Sequence, residues 1–562
     1  MSEQDQEKAA KRAQWEEINR AKALARQKQA EATDQGQATA VLPKKQFQVV
    51  RGTRDLTPSD THLWNHVETV AREVFGTFGF GEIRSPILER FELFARSIGS
   101  ETDIVSKEMY TFDLLASREV MHLQGQLYGS LRNPGRFTGN LFELLKCLKD
   151  AWDSQQIEQT ESNDRAIKKL EQIYKELYSS IETDEAFLQA ANDPQIRKMV
   201  LEASDVSRQI VVWPQFVVLR PEATASVCRS YIEHSMFQLP QPVKLYYMGP
   251  MFRRERPQKG RYRQFYQIGA EVLGGNDAPA IDAEVIEMVM TFLDRLELPG
   301  LQLDINSIGH NAPDCRPKYV ELLREELRKV KDQLGTDSRR RIETNPLRVL
   351  DSKLESEQAI IAKLPHIADH LCDACATHYA DVKSQLQLRG VIYRENWRLV
   401  RGLDYYMRTT FEITAQGLGS QNAVCGGGRY DGLVELLGGP PTKGIGFAIG
   451  EDRLILSLQD AGKVPARQGR DVYIAWMGEH AYPAAVRIAK LLRNEGFSVE
   501  LPPTEQKFGK ALERASKLDS RYALILGDNE VSEGSYTLKT LADGTQEKYA
   551  EPDLLEFLKG QQ

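Results

Sequence analysis

The sequence feature that most restricts the fold is a series of strand-like stretches that helical patterns interrupt. After Phe47 a helical pattern, THLWNHVETVAREVFGTFGF, precedes EIRSPILE, which we interpret as a short strand that contains Pro86. Further strand-like stretches are FVVLRPEATA, VKLYYMGPMFRRERP with RYRQFYQIGAEVLGG, and LQLDINSIG, after which residues 315 to about 389 predict helices. After Leu399, RGLDYYMRTTFEITA and a glycine-rich stretch ending in GIGFAIGEDRLILSL predict strands and then a helix. The pattern predicts an α+β fold with one antiparallel sheet, interrupted twice and flanked by helices.

The chain is too long for a single compact core. It has 562 residues, of which 41% are hydrophobic, so several domains are expected. Past the linker AGKVPARQG, strands and helices alternate through VYIAWM, a helix, FSVEL, KFGKALERASKL and YALILG. The first of these helices has Ala485, Ile488, Ala489 and Leu492 on one face. This alternation predicts a separate small α/β domain over residues 467–562.

Two segments differ in character from the rest. Residues 1–45 are rich in Ala, Glu, Lys, Arg and Gln, which predicts a charged helical or disordered N-terminal extension. Residues 113–215 predict a helical insertion of unknown role, too short in its periodicity for a coiled coil. Its apolar residues at spacings of three and four, which form one helical stripe, are Ile167, Leu170, Tyr174, Leu177 and Ile181.

Composition excludes several classes of protein. A charged fraction of 27% and the lack of a long apolar run argue against a membrane span. The first residues, MSEQDQEKAAKR, mix acids with bases and lack the apolar segment of a secretory signal, so we expect a cytoplasmic protein. Because the net charge is -7, a nucleic acid would have to bind through local basic patches.

The cysteines suit a reducing compartment. Six cysteines in a chain of this length, with one close pair, do not form a disulfide framework. That pair is Cys372 and Cys375, and His378 follows three residues later. CxxCxxH could supply three metal ligands, but a structural zinc site needs four, and such residues at helical spacing more often line an ordinary face. We therefore expect no metal-binding residues.

The densest chemical signal is FRRERPQKGRYRQFYQIGAE. Besides one acid, Glu255, it contains a series of cations, namely Arg253, Arg254, Arg256, Lys259, Arg261 and Arg263. A tight turn at residues 257–260 would form a β-hairpin with a basic loop. Such a loop can hold a polyphosphate, because a planar guanidinium binds phosphate oxygens through two hydrogen bonds. Taken alone, a basic hairpin is more often a solvated loop.

Three further stretches have unusual chemistry. RGLDYY contains Arg401 followed by paired tyrosines. CGGGRYDGL has three glycines before Arg429, and glycines let a backbone approach a ligand closely, although a tight structural turn is the plain alternative. GIGFAIGEDRLIL places Arg453 at the start of an apolar helix, where an anion is favoured. Each stretch is weak evidence by itself, whereas the combination is specific.

Together these stretches resemble class II aminoacyl-tRNA synthetases, and within that class the histidyl-tRNA synthetase family. The helix and strand ending at Pro86 look like the first class motif, which in the family builds the dimer interface. Residues 252–271 are similar to the second motif and residues 446–453 to the third. RGLDYY and GGGRYDG are similar to the two signatures of the histidine enzymes. The resemblance covers roughly residues 47–112 and 216–562.

The resemblance implies a set of site residues. It implies that Arg401 and Arg253 are catalytic, with Arg401 near the α-phosphate of ATP and Phe265 stacked on adenine. The implied ATP-binding residues are Arg253, Glu255, Arg261, Phe265, Arg401 and Arg453. The implied histidine-binding residues are Glu222, Thr224, Gln267, Glu271, Tyr405, Tyr406 and Tyr430. The chemistry agrees, since a carboxylate and a phenol can accept and donate the two hydrogen bonds that an imidazole offers.

The resemblance also implies a reaction and its partners. The protein would ligate L-histidine to histidine tRNA through histidyl-adenylate, with ATP and Mg²⁺ as cofactors, as a homodimer. The implied segments are a catalytic core over 46–112, 216–310 and 389–463, a helical insert near tRNA over 311–388, and an anticodon-binding domain over 467–562. The tRNA would lie across the basic loop, the helical insert near Arg339 to Arg341, and the last domain.

The sequence departs from the family pattern at several points. The acid before Arg453 is Asp452 rather than the usual Glu, and Glu451 occupies a usually apolar position. Residues 113–215 replace what is usually a short turn.

Two other functions are compatible with parts of the pattern. A catalytically silent paralogue that senses histidine typically lacks the complete arginine signature and the anticodon domain. A synthetase for threonine, proline or glycine is the second alternative, and RGLDYY with GGGRYDG argues against it.

Overall fold

The computed structural model describes residues 47–99, 102, 104–113, 120, 122–124, 126, 137–153, 157, 160–180, 193–210, 216–258, 260–403, 405–415, 423–465 and 469–561. The predicted N-terminal extension, residues 1–45, lies outside the described residues. Contacts divide the chain after Arg51, and the fold described below belongs to Gly52–Gln562.

The strands are short except for the two that form the central hairpin. In chain order they are β1 (Gly81–Glu82), β2 (Leu88–Arg90), β3 (Tyr110–Asp113), β4 (Phe216–Leu219), β5 (Val243–Phe252), β6 (Gln264–Leu273), β7 (Gln302–Ser307), β8 (Arg394–Glu395), β9 (Met407–Thr414), β10 (Ala423–Arg429), β11 (Gly444–Gly450), β12 (Val472–Met477), β13 (Val499–Glu500), β14 (Tyr522–Gly527), β15 (Ser535–Thr540) and β16 (Gln546–Ala550).

The α-helices lie between and around these strands. In chain order they are α1 (Pro58–Thr77), α2 (Phe91–Ile98), α3 (Phe137–Asp153), α4 (Glu161–Ser180), α5 (Pro194–Gln209), α6 (Thr224–Glu233), α7 (Pro279–Arg295), α8 (Arg316–Lys329), α9 (Thr336–Thr344), α10 (Leu347–Leu350), α11 (Glu355–Ile361), α12 (Asp373–Leu388), α13 (Leu433–Leu436), α14 (Glu451–Asp460), α15 (Ala481–Asn494), α16 (Phe508–Lys517), α17 (Asp528–Glu533) and α18 (Glu551–Lys559).

The main sheet has eight strands in the order β1-β5-β6-β11-β10-β9-β7-β8. Its neighbours are antiparallel except for the outer pairs β1/β5 and β7/β8. Alternate residues of β6, such as Ile268 and Val272, join a core that also holds Leu63 and Val67 of α1. The other face of β6 presents Gln267 and its neighbours to the site described below. The predicted antiparallel sheet flanked by helices is confirmed.

The region around Pro86 differs from the prediction of a single strand. β1 belongs to the main sheet, whereas β2 pairs with β4 in a small sheet of order β2-β4-β3. Pro86 lies between them, and because it has no N–H group to donate to a strand ladder, it suits this connection between the two sheets. The predicted helix before it is correct, since α1 buries Leu63, Val67, Val70 and Val74.

Helices α3, α4 and α5 lie between β3 and β4 and form a hydrophobic cluster of their own. Leu148 of α3, Leu170 of α4 and Ala203 of α5 are fully buried in it. The predicted stripe is present at Ile167, Leu170 and Leu177, while Ile181 is outside the part of the chain that the structure describes. The extent of the insertion, residues 113–215, stays a prediction.

Residues after Val472 form a five-stranded sheet of order β13-β12-β14-β15-β16. Helix α15 packs on one face through Ile488 and Leu492, and α16 packs on the other through Ala511 and Ala515. The predicted alternation of strands and helices is correct, although α17, β15, β16 and α18 were not predicted. Among the described helices, none has both the length and the apolar character needed to cross a bilayer.

Candidate active site

A cavity of about 330 Å³ lies against the face of the main sheet opposite α1. This volume is in the range of small-molecule sites. The predicted residues that line it are Glu222, Thr224, Arg253, Glu255, Arg261, Phe265, Gln267, Arg401, Tyr405, Tyr406 and Arg453. The predicted Glu271 and Tyr430 do not line the cavity and are buried directly behind Thr224.

The hairpin between β5 and β6 delivers Arg253 and Arg261 to the cavity. Backbone hydrogen bonds between Gln258 and Arg261, of 3.1 and 2.9 Å, close a tight turn that is shifted by one residue from the predicted turn at 257–260. Lys259 at its tip is outside the described residues. Glu255 lies 3.3 Å from Arg261 and 4.0 Å from Arg253, so one carboxylate orients both guanidinium groups.

Arg453 completes this basic group from the first turn of α14. Its Nε donates to Gly260 O at 3.4 Å and its Nη1 donates to Ala423 O at 3.1 Å, which joins the hairpin loop to β10. Burial lowers the pKa of Arg453, and the positive charges of Arg261 and Arg253 lower it further. Neighbouring guanidinium groups that repel one another favour binding of an anion that relieves the repulsion.

Arg401 enters the cavity from the segment before β9. Its Nη1 donates to Glu412 Oε2 at 2.8 Å. The guanidinium lies against Gly426 of β10, where a Cβ atom would be 2.0 Å from Nη2. The glycine therefore makes room for the arginine, whereas the glycine-rich stretch had suggested close approach of the backbone to a ligand.

Phe265 and Arg253 lie against each other at the cavity wall. The Arg253 guanidinium is 5.2 Å from the ring centroid of Phe265, within the range of a cation–π contact. Arg253 Nε also donates to Pro221 O at 3.0 Å. These contacts hold an aromatic face and a cation together at one edge of the site.

The acids at the start of α14 have different surroundings. Asp452 accepts from Tyr266 N at 2.8 Å and from Arg54 Nη2 at 2.7 Å, so it ties the helix to β6. Glu451 is fully buried, and its carboxylate oxygens have no hydrogen-bond partner among the residues described. Burial, and next the nearby charge of Glu68, raise the pKa of Glu451 well above its ordinary value. Asp452 therefore anchors the helix to the sheet, whereas burial favours the neutral form of Glu451.

Glu271 lies at the centre of a buried polar cluster. It accepts from Thr224 Oγ1 at 2.7 Å and from Tyr430 Oη at 2.6 Å, and it is 1% exposed. Burial raises its pKa to about 8, so the carboxyl is mainly protonated at neutral pH. The Tyr405 ring packs edge-on against Tyr430, with centroids 5.8 Å apart. The cluster can exchange hydrogen bonds with a small polar ligand that reaches past Thr224.

Two further groups lie between this cluster and the arginines. Both oxygens of Glu222 accept backbone N–H bonds at the start of α6, from Thr224 at 2.7 Å and from Ala225 at 3.0 Å. The buried Oε1 of Gln267 has no hydrogen-bond partner within the described part of the chain. A buried acceptor at a cavity wall calls for a donor from a ligand.

Sequence reasoning missed two residues that organise Arg401. Gly426 had been noted only as part of a glycine run, and Glu412 had not been noted at all. The signal for Glu412 was present, because an acid alternates with the buried Phe411 and Ile413 along β9. By contrast, Arg429 of GGGRYDG is 1% exposed and pairs with Asp282 and Asp431, so it supports the sheet from within.

Comparisons with known proteins give a consistent result. A family model described as histidyl-tRNA synthetase matches residues 178–454, and one described as an anticodon binding domain matches residues 471–561. A histidine–tRNA ligase from Koribacter versatilis is 43% identical over 517 residues, which cover 91% of this chain and 96% of the relative. One from Solibacter usitatus is 44% identical over 502 residues, covering 89% of this chain and 96% of the relative.

Solved structures agree with the sequence matches. Apo histidyl-tRNA synthetase from S. aureus is 29% identical, with a TM-score of 0.62 over 92% of this chain and 100% of the other. Histidyl-tRNA synthetase from Nostoc sp. PCC 7120 is 18% identical and shares the fold, with a TM-score of 0.57 over 92% of this chain and 100% of the other.

Proposed function

Because the chain belongs to the histidyl-tRNA synthetase family of class II aminoacyl-tRNA synthetases, we propose that it ligates L-histidine to histidine tRNA. The reaction consumes ATP, passes through histidyl-adenylate and releases AMP and pyrophosphate. The main support for this proposal is the arrangement of one cavity. Arg253, Arg401 and Arg453 line it, and the buried Glu271 cluster lies behind Thr224 in its wall. This arrangement suits a polyphosphate beside a small polar side chain.

In the first step the histidine carboxylate attacks the α-phosphorus of ATP, and pyrophosphate leaves. The step needs no protein nucleophile, because positioning and neutralisation of charge supply most of the rate in such transfers. Arg401 stabilises the α-phosphate while the bond forms. Arg253 and Arg453 hold the ATP phosphates together with Arg261, which Glu255 orients, and Phe265 stacks on adenine.

Histidine recognition uses the buried polar cluster. Gln267, Glu222 and Thr224 surround the α-ammonium group, for which the unsatisfied Oε1 of Gln267 is an acceptor. Glu271 and Tyr430, with Tyr405 and Tyr406 beside them, exchange hydrogen bonds with the imidazole. A site with buried polar groups rejects amino acids that leave those groups unpaired, which gives the site its selectivity.

Mg²⁺ is the cofactor that ATP chemistry implies, and the cavity contains carboxylates that fit it. Glu222 and Asp452 use both oxygens in hydrogen bonds. Glu412 is 30% exposed, and its Oε2 accepts a hydrogen bond from Arg401. Glu412 and Glu255 are therefore better candidates than Glu222 and Asp452 to hold the ion beside the phosphates. When bound, Mg²⁺ would neutralise charge on the leaving pyrophosphate.

The tRNA contacts extend beyond the cavity. The domain that starts at β12 binds the anticodon, and the basic hairpin loop lies near the acceptor end. Among the three arginines of α9, Arg339 donates to Leu334 O at 2.6 Å and to Asp332 O at 3.0 Å, whereas Arg340 is 60% exposed. Arg340 is therefore the best placed of them to contact a phosphate.

Dimerisation and cytoplasmic localisation complete the proposal. The segment after Pro86 leaves Ile87 41% and Leu88 56% exposed, and exposed apolar side chains of this kind suit a subunit interface. Sedimentation of the purified chain should give a mass of two subunits, and a monomer at every concentration would contradict this part.

The reaction is tested by charging of tRNA. Purified protein is incubated with ATP, Mg²⁺, labelled histidine and transcripts of several tRNAs. We expect labelled histidine on histidine tRNA alone, and removal of the Arg401 side chain in Arg401→Ala should slow charging at least ~10²-fold. Arg394→Ala is the matched control, because that arginine pairs with Asp304 outside the cavity. Histidine binding without charging would instead support a histidine-sensing paralogue.

A further inference from the structure

Four potential metal ligands come together outside the cavity. One nitrogen of His310 and the sulfurs of Cys315, Cys372 and Cys375 all lie within 4.8 Å of one another. His310 Nδ1 is 3.2 Å from Cys375 Sγ and 3.8 Å from Cys372 Sγ. Cys315 and Cys375 are buried, and none of Cys315, Cys372 and Cys375 forms a disulfide.

The fold, rather than the local sequence, forms this cluster. His310 and Cys315 lie in the loop between β7 and α8, and Cys372 and Cys375 lie at the start of α12. The CxxCxxH pattern had suggested His378 as the third ligand. His378 instead points away, with Nε2 3.1 Å from Asp277 O and 3.7 Å from Asp282 Oδ2. His310 and Cys315 supply the two ligands that the pattern lacked.

We propose that His310, Cys315, Cys372 and Cys375 bind one Zn²⁺ ion as a structural site, contrary to the sequence-based expectation of no metal. Three thiolates and one imidazole form a soft ligand set that selects zinc over magnesium or calcium. Bonds of about 2.3 Å to sulfur and about 2.0 Å to nitrogen place tetrahedral ligand atoms roughly 3.5–3.8 Å apart. The two distances from His310 Nδ1 are close to these values.

The site is structural rather than catalytic. Four protein ligands complete the tetrahedral shell, so no position remains for water or substrate. None of the four residues lines the cavity that holds the arginines. The inference is therefore independent of the proposed reaction, and a chain without synthetase activity would still bind the ion.

The position of the site explains what the ion stabilises. It joins the start of α12 to the loop between β7 and α8. The same loop pairs with the start of β9, where Ile308 N donates to Arg408 O at 2.8 Å and Arg408 N donates to Gly309 O at 2.7 Å. Arg316, next to Cys315, donates to Tyr406 O at 2.5 Å. The ion thus fixes the loop that holds the backbone of Tyr406.

The first experiment is metal analysis of the full-length protein purified without added metal or chelator. We expect about one zinc per chain. Protein that is stripped of metal and refilled with Co²⁺ should show the strong visible bands of a tetrahedral ion and sulfur-to-cobalt charge transfer. Protein with no zinc that also fails to bind Co²⁺ as reduced thiols would overturn the proposal, and so would a disulfide between these cysteines in freshly isolated protein.

Paired variants locate the ligands. Cys372→Ser and His310→Asn should each reduce zinc to below about a tenth of an equivalent. His378→Asn should keep the metal, because His378 faces Asp282 and not the cluster. Cys147→Ser is the control for loss of a buried cysteine elsewhere. Loss of zinc from His378→Asn with retention in His310→Asn would contradict the assignment. If the ligand variants do not fold, the Co²⁺ spectrum of the unaltered protein decides.

Discussion

Arg401 depends on the absence of a side chain at Gly426. Because a Cβ atom there would lie 2.0 Å from Arg401 Nη2, Gly426→Ala must displace the guanidinium from Glu412 and from the cavity. A misplacement of about 1 Å in a catalytic group costs about 10²-fold in rate, so we expect a loss of that order in histidine-dependent pyrophosphate exchange. Gly81→Ala in β1 is the control, since an added Cβ meets nothing within 4 Å. Equal activity of both variants would show that Arg401 is not held as described.

Glu271 gives the protein a specific pH dependence. Its folded pKa of about 8 exceeds the ordinary value of 4.5, so the folded state keeps this proton longer than the unfolded chain does. The contribution of the protonated Glu271 to the free energy of unfolding is fully present below about pH 4.5. It is lost as the pH rises towards about 8. Glu271→Gln removes this loss, because its amide does not ionise.

The thermal midpoints of Glu271→Gln and of the unaltered protein should therefore diverge with pH. We expect the thermal midpoint of the variant to rise relative to that of the unaltered protein as the pH increases from 4.5 to about 8. Above that pH the difference between the two midpoints should stay constant. The same variant should raise the KM for histidine. Thermal scans across that interval measure the first effect, and a constant difference in midpoint would mean that Glu271 is ionised throughout.

At the scale of elements, the β3/β4 hairpin separates the insertion from the catalytic sheet. Asp113 and Phe216 are directly opposite each other at the ends of these strands, so a two-residue turn can join them. Replacing residues 114–215 by Asn-Gly should keep histidine-dependent pyrophosphate exchange within about tenfold, because α3–α5 have their own hydrophobic cluster. A folded deletion protein without exchange activity would place the insertion in the catalytic unit.

Local patterns predicted the elements well, but they did not reveal long-range neighbours. Alternation in RQFYQIGAEVLGG indicated β6, and the Pro and Gly of PQKG indicated the turn at the hairpin tip. The exchange of strands at Pro86 depends on pairing between β2 and β4, which are separated by the whole insertion. Likewise, Glu412 becomes informative only when β9 lies beside β10, and His310 only when α12 returns to the β7 edge. The spacing of residues along the sequence does not show which distant strands and helices become neighbours in the fold.

At the scale of the whole molecule, the catalytic sheet and the last domain have separate cores. The first core packs α1 and α7 on the eight-stranded sheet, and the last packs α15 on β12 and β14. The resemblance of short motifs predicted both, and most of the site residues that it implied line the cavity. It could not predict that Glu271 and Tyr430 are buried behind Thr224. Their proximity depends on β11, which pairs with β6 on one side and with β10 on the other.

We propose that this cavity activates histidine with ATP. ATP–pyrophosphate exchange should be measured with the purified chain in the absence of tRNA, with each standard amino acid tested in turn. We expect exchange with histidine alone, and its loss in Arg401→Ala with histidine binding retained. Exchange with a different amino acid, or histidine binding without any exchange, would contradict it.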